Sequence, residues 1–343
     1  MQIGVDSFVA TANPAGDARR VRELLEEIEL ADQVGLDVFG LGEHHRPDYL
    51  SSSPAVLLAA AAARTKRIRL ASAVTVLSSD DPVRVFQQFA TVDLISEGRA
   101  EIIVGRGSFI ESYPLFGYDL DDYDELAAEK LDLLLTLRDQ VRVHWTGRHR
   151  AALTGQGVYP RPVQNPLPVW IGVGGTPQSV IRAGRLGLPL MVAIIGGETA
   201  QFRRLVDLYW QAAAEAGHDR STLKVGIHHI GFIADSTPGA LDTFWPAYRE
   251  TFGKLGKERG WAPPTRSHFD AQCGPRGALL VGDPESVAAK ILSDHDALGG
   301  FSRMTVLIDN AVLTHAEIMR AIELLGTRVA PMVRKELAGR GES

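Results

Sequence analysis

Three short stretches of this chain combine residue types and spacing that suit chemistry. The first is Glu43-His44-His45, which follows directly on the apolar run Phe39-Gly40-Leu41-Gly42. Histidine moves protons near neutral pH. Two adjacent side chains on extended backbone point to opposite sides, so at most one of this pair faces a common ligand. The triplet lacks the His-x-x-x-His spacing that sets two metal ligands on one helical face, so no metal is expected. A hydrogen-bonded cluster that merely shapes a loop is the competing reading. The second stretch is Arg106, bracketed by Gly105 and Gly107 and followed by Ser108. Glycines allow close approach, and a guanidinium matches the geometry of a phosphate. The third is Gly172-Val173-Gly174-Gly175-Thr176-Pro177-Gln178-Ser179. Glycines and hydroxyls that open a helix offer free backbone N–H groups and the positive end of the helix dipole to an anion. The spacing fails the dinucleotide fingerprint Gly-x-Gly-x-x-Gly, and no acidic ribose partner follows the next strand.

These stretches need elements that bring them together. Short apolar runs alternate with longer amphipathic ones along almost the whole chain. Strands are expected at 3–9, 37–41, 68–76, 100–104, 169–173, 188–195, 224–234 and 304–308. Helices are expected between them, with Gly35 ending the first, Ser53 and Pro54 opening the second and Asp80-Asp81-Pro82 opening the third. Eight consecutive strand–helix units imply a parallel sheet and favour a closed (β/α)8 barrel of the α/β class. The reading is a single domain over 1–335, with excursions at about 140–167 and 260–277 and a C-terminal tail at 336–343. Residues 260–277 are read as a long Gly/Pro-rich loop, of the kind that serves as a lid. Pro331 is expected to stop the last helix. In a barrel of this type the working face lies at the C-terminal ends of the strands, which is where all three stretches fall.

Composition narrows the function. Charged residues make up 23% of the 343 and the formal net charge is −6, with basic residues dispersed, so no nucleic-acid footprint is visible. The longest apolar stretch, Ala55 to Ala63, is too short to span a membrane. The single cysteine, Cys273, excludes an internal disulfide and is read as an ordinary residue. A cytoplasmic location is the default. His228-His229 lies within a strand and is read as packed or surface-facing rather than as a ligand-binding pair, and Trp261 as a potential lid contact.

Taken in order, these motifs resemble the bacterial luciferase-like family of flavin-dependent monooxygenases over nearly the whole chain. The carriers are Gly35 to His45, Pro82-Val83-Arg84, Leu94 to Arg99, Gly105-Arg106-Gly107 with Phe116-Gly117, the Gly172–Ser179 turn, Gly187-Leu188-Pro189, and Leu324 to Pro331 with Arg334. The resemblance implies a luciferase-like TIM barrel with insertions, usually a homodimer, that binds FMN. It implies that His44 is the catalytic histidine, serving proton transfer while reduced flavin reacts with oxygen. Arg106 would grip the flavin phosphate, with Val173, Gly174, Gly175, Thr176 and Ser179 forming the rest of that cofactor site. Ala73-Val74 would be a non-prolyl cis peptide beneath the isoalloxazine ring. The implied reaction oxidises a small organic substrate with O2 and reduced FMN, the flavin coming from a separate flavin reductase, since no obvious nicotinamide site is evident. The chain departs from the luciferases in carrying Gly175 in place of an acidic residue and Ile194-Ile195-Gly196-Gly197 in place of an aromatic, which argues against light emission. Two alternatives remain at this point: a deazaflavin-dependent hydride transferase on the same barrel, and a non-catalytic flavin-binding protein.

Overall fold

The computed structural model describes residues 1–107 and 109–341; Ser108 and the last two residues of the expected tail lie outside the described residues. In chain order the elements are β1 (Gln2–Ser7), α1 (Asp17–Gln33), β2 (Val38–Leu41), α2 (Pro54–Ala62), β3 (Arg69–Ser72), β4 (Thr75–Val76), α3 (Pro82–Ile95) and β5 (Ala100–Gly105). There follow α4 (Ser112–Phe116), α5 (Tyr123–Asp139), β6 (Arg142–Trp145), β7 (Leu153–Gly157), β8 (Val169–Val173), α6 (Pro177–Arg185), β9 (Leu190–Ile194) and α7 (Arg203–Glu215). The chain ends with β10 (Val225–Ile233), α8 (Thr237–Arg259), α9 (Arg266–Cys273), β11 (Leu280–Gly282), α10 (Pro284–Leu298), β12 (Arg303–Leu307), α11 (His315–Leu324) and α12 (Ala330–Gly339).

The sheet closes. β1 pairs in parallel with both β2 and β12, and the ladder runs on through β3, β5, β8, β9 and β10 back to β12. Local sequence explains how the helices start. Asp81 accepts hydrogen bonds from the N–H groups of Val83 and Arg84, with Pro82 in the first turn, and Thr314 and Glu317 form a reciprocal capping box. Gly35, at φ +80°, lets the chain leave α1.

Alternation along each strand sorts its side chains. Outward residues such as Ile3, Val5, Phe39 and Leu70 join the large core between barrel and helices. Inward residues Val38, Ala71, Ile103, Trp170 and Met191 make a small separate cluster on the barrel axis. Below it, at the N-terminal ends of the strands, the axis is plugged by charge. Arg303 donates to Glu101 at 2.5 Å and to Gln2 at 2.7 Å, Arg69 donates to the same Glu101, and the Arg303 guanidinium lies 4.2 Å from the centre of the Trp170 ring. Burial opposes the charge on Glu101, but Arg303 and Arg69 outweigh it and hold the carboxyl below its usual range.

Three expectations are corrected. The third strand is two pieces, β3 and β4, divided at Ala73-Val74. Residues 260–277 are not a continuous loop. They contain α9, whose N-cap Thr265 accepts from His268 N–H. Buried Lys290 fastens the segment's C-terminal side by donating to the carbonyls of Gly274 and Leu279, each at 2.7 Å. Pro331 does not stop the last helix. A π-helical turn at Leu325–Val329 joins α11 to α12 without a break, and Pro331 sits two residues after it. The helix therefore runs past residue 335, across the expected tail boundary. The excursion at 140–167 holds the antiparallel hairpin β6–β7. No helix among the described residues is long and apolar enough to cross a membrane.

Candidate active site

A cavity of about 450 Å³ opens at the C-terminal ends of the strands. Its floor comes from the last inward layer of the barrel, where small residues leave room. The Ala73–Val74 peptide bond is cis, as the resemblance implies. A Cβ on Gly105 would meet Val74 at 2.5 Å and one on Gly172 at 2.7 Å, so these glycines form the cradle in which Val74 lies.

His44 leaves β2 into this cavity. Its ring is surrounded by Phe8, Tyr49 and Phe109, with centroids 4.4, 4.7 and 5.2 Å away, and its buried Nε2 has no hydrogen-bond partner. Burial, with the charges of His45 and Arg46, pushes its pKa down to about 4, so the ring is neutral at physiological pH. His45 turns away, as alternation requires, and meets Glu43 at 3.0 Å. Glu43 also accepts from Val76 N–H at 2.9 Å, which ties the loop after β2 to β4.

At the other end of the cavity the Arg106 guanidinium donates to the Thr176 hydroxyl at 3.1 Å and lies over the Tyr123 ring, 4.8 Å from its centre. Its other partner is the exposed Asp124. Val173, Gly174, Thr176 and Ser179 line the same end, where α6 begins. Gly175 is in the turn at φ +133° but is exposed and does not line the cavity. The structure thus brings Ala73, Val74, His44, Arg106, Val173, Gly174, Thr176 and Ser179 around one space, with Gly175 at its edge.

Several lining residues escaped the sequence reading. Asp6 and His228 sit on the floor, Asp309 and Asn310 follow β12, and α8 supplies an aromatic wall that includes Phe244, Tyr248 and Phe252. Asp309 accepts from Phe8 and Ala10 N–H and the Ser7 hydroxyl, and Arg20 braces it at 3.2 Å. That clamp holds the loop after β1, where Val9 takes the unusual φ of +55°. Arg46 stacks on Phe109 at 4.2 Å and pairs with Glu258 at 2.6 Å, which joins the β2 loop to the end of α8. His228 is buried, bonded to Asp6 and lines the cavity, whereas His229 is fully buried against the Ala278 carbonyl. Trp261 is half exposed beside Arg259. Asp122, Glu125 and His149 gather elsewhere, outside the cavity.

The luciferase-like monooxygenase family matches residues 1–299. The chain belongs to this family. It is accordingly an enzyme of the luciferase-like flavin monooxygenase type. A relative, the 4-hydroxyprotoasukamycin monooxygenase of Streptomyces nodosus subsp. asukaensis, is 30% identical over 98% of this chain and 94% of its own length. Among solved structures, monooxygenase RslO1 from Streptomyces bottropensis superposes with a TM-score of 0.85 at 24% identity, over 96% of this chain and 99% of that one. The oxygenating constituent of 3,6-diketocamphane monooxygenase from Pseudomonas putida, in complex with FMN, gives 0.79 at 21%, covering 96% and 98%. An F420-dependent secondary alcohol dehydrogenase gives 0.75 at 19%, covering 97% and 99%. The fold of this luciferase-like monooxygenase is therefore shared by proteins whose names carry FMN and F420.

Proposed function

We propose that this luciferase-like enzyme uses reduced FMN and O2 to oxidise a small organic substrate. The observation that carries the reading is Arg106, held against Thr176 where α6 begins, at the end of a cavity floored by Ala73-Val74. The donor set fits a phosphate monoester: one guanidinium, two hydroxyls and the exposed backbone of a glycine turn at a helix N-terminus. The glycine cradle around Val74 fits a flat ring laid on the floor. Arg106, Thr176 and Ser179, with the backbone at Val173, Gly174 and Gly175, would hold the phosphate, and Ala73-Val74 would lie beneath the ring. Reduced FMN, when bound, supplies the two electrons with which O2 is activated. His44, neutral and enclosed by rings, would hold or release a proton there, while Phe8, Tyr49 and Phe109 keep water away from it. By analogy with a relative described as an oxygenating constituent, the reduced flavin would come from a separate reductase.

The test is titration of the purified protein with oxidised FMN, reduced FMN and the deazaflavin F420. Markedly tighter binding of reduced FMN, followed by oxygen uptake with substrate, is the expected outcome. Preference for F420 would replace this reading with hydride transfer. Flavin binding without oxygen uptake across a broad substrate panel would leave a flavin-binding protein.

A further inference from the structure

The cavity floor holds a polar pair that the flavin reading leaves unused. Asp6 stands near the end of β1, His228 in the middle of β10, and Thr305 on β12 between them, directly opposite His228 in the ladder. His228 Nδ1 lies 2.6 Å from Asp6 Oδ2, and the Thr305 hydroxyl donates to the same oxygen. With Asp6 ionised and the imidazole neutral, Nδ1 carries the proton and Nε2 presents its lone pair. Both residues line the cavity, and no bond to His228 Nε2 is found among the described residues. The strand alongside accommodates the carboxylate. A Cβ on Gly40 would fall 2.1 Å from Asp6 Oδ1 and 2.8 Å from the Ala73 Cβ, which places the pair beside the Ala73-Val74 floor. His44, in the same cavity, has three rings around it and no carboxylate bonded to it.

A carboxylate-oriented imidazole with an open lone pair is a proton acceptor. We propose that Asp6 and His228 form a general-base pair that deprotonates an acidic hydroxyl of the substrate, a phenol or enol, so that it reacts as its oxyanion. The proposal deepens the monooxygenase reading and rests on it. In the step, the substrate O–H bond breaks and an Nε2–H bond forms. The electron pair stays on the substrate oxygen, and Asp6 stabilises the resulting imidazolium. Nothing is oxidised or reduced in it. The oxyanion raises electron density on the adjacent carbon framework, which is what acceptance of an electrophilic oxygen requires. An alkene, a thioether or a simple ketone has no such proton to give. The aromatic wall of Phe8, Tyr49, Phe109, Phe244 and Tyr248 suits a planar ring. His228 is then a catalytic residue and Asp6 and Thr305 are positioning residues.

The probe is 4-nitrophenol, whose anion alone absorbs in the visible. It is titrated into FMN-loaded protein about one pH unit below its ionisation in free solution, after the FMN titration has been recorded on the same sample. That first titration judges the flavin reading by itself. Wild-type protein should bind the probe mainly as the anion. H228Q and D6N should bind it neutral, with roughly a tenfold or greater loss of bound anion for each pKa unit restored, and with FMN affinity unchanged. T305V should show an intermediate shift. With a phenolic substrate, D6N should lower kcat about a hundredfold and move the acid limb of its pH profile, which a purely structural role would leave in place. A neutral probe in the wild type, an anion retained in H228Q, or no binding of any phenol or enol overturns the proposal. So does a large loss of FMN affinity in H228Q, since it would place His228 against the flavin.

Discussion

The two ends of the barrel axis are both polar, yet they are built on opposite principles. At the N-terminal end, Arg303, Glu101, Arg69 and Gln2 satisfy one another, and Arg303 is 1% exposed under the Trp170 ring. At the C-terminal end, Asp6 bonds His228 and Thr305 while His228 Nε2 is left open, and His44 Nε2 has no partner at all. A buried charge cluster whose bonds close on themselves serves to hold strands together. Polar groups left open beside a cavity are kept for something that enters.

Mutation can break or sharpen this contrast. The largest effect on stability is expected from E101Q, which leaves Arg303 and Arg69 without their full counter-charge. About 3–5 kcal/mol should be lost in urea unfolding. D6N should cost far less, and equal losses would erase the distinction between the two ends. Next comes pH. Because the folded protein holds the His44 pKa down to about 4, against 6.5 when unfolded, its stabilising contribution is present above pH 6.5 and is lost as pH falls through 4. The full loss is on the order of 3 kcal/mol, and H44F should flatten that part of the stability curve relative to wild type. R106A should leave folding alone but weaken FMN roughly tenfold to a hundredfold, the worth of charge-assisted hydrogen bonds, with riboflavin little affected. Equal weakening of both would remove Arg106 from the phosphate end. The smallest effect concerns Cys273. Burial pushes its thiol up to about 12, so alkylation of native protein by iodoacetamide at pH 8 should be very slow compared with unfolded chain.

Much of this site was legible because its parts are local. His44, Arg106 and the Gly172–Ser179 turn each sit at the end of one strand, and alternation alone tells that His44 and His45 diverge. What escaped depends on closure. Asp6 and His228 are 222 residues apart and meet only because β12 lies between β1 and β10. A signal existed: Asp6 is the one charged residue of its strand, and the His228-His229 pair must send one ring inward. The aromatic wall from α8 left no such trace, because its phenylalanines and tyrosines read equally well as core. Helix α9 was hidden by the glycines and prolines that flank it, which dominate any reading of so short a segment. Pro331 misled for a related reason: an interior proline usually breaks a helix, but here a π-helical turn immediately precedes it and the helix continues.

The charged plug also has a consequence for traffic. Arg303, Glu101 and Trp170 leave the axis sealed from below, so the cavity is a blind alley with its mouth between the strand ends and α8. A molecule that reaches the floor must leave by the way it came, because the axis offers no second exit. The shape of the barrel thus confines entry and exit to one end before any residue at the mouth has exercised a preference.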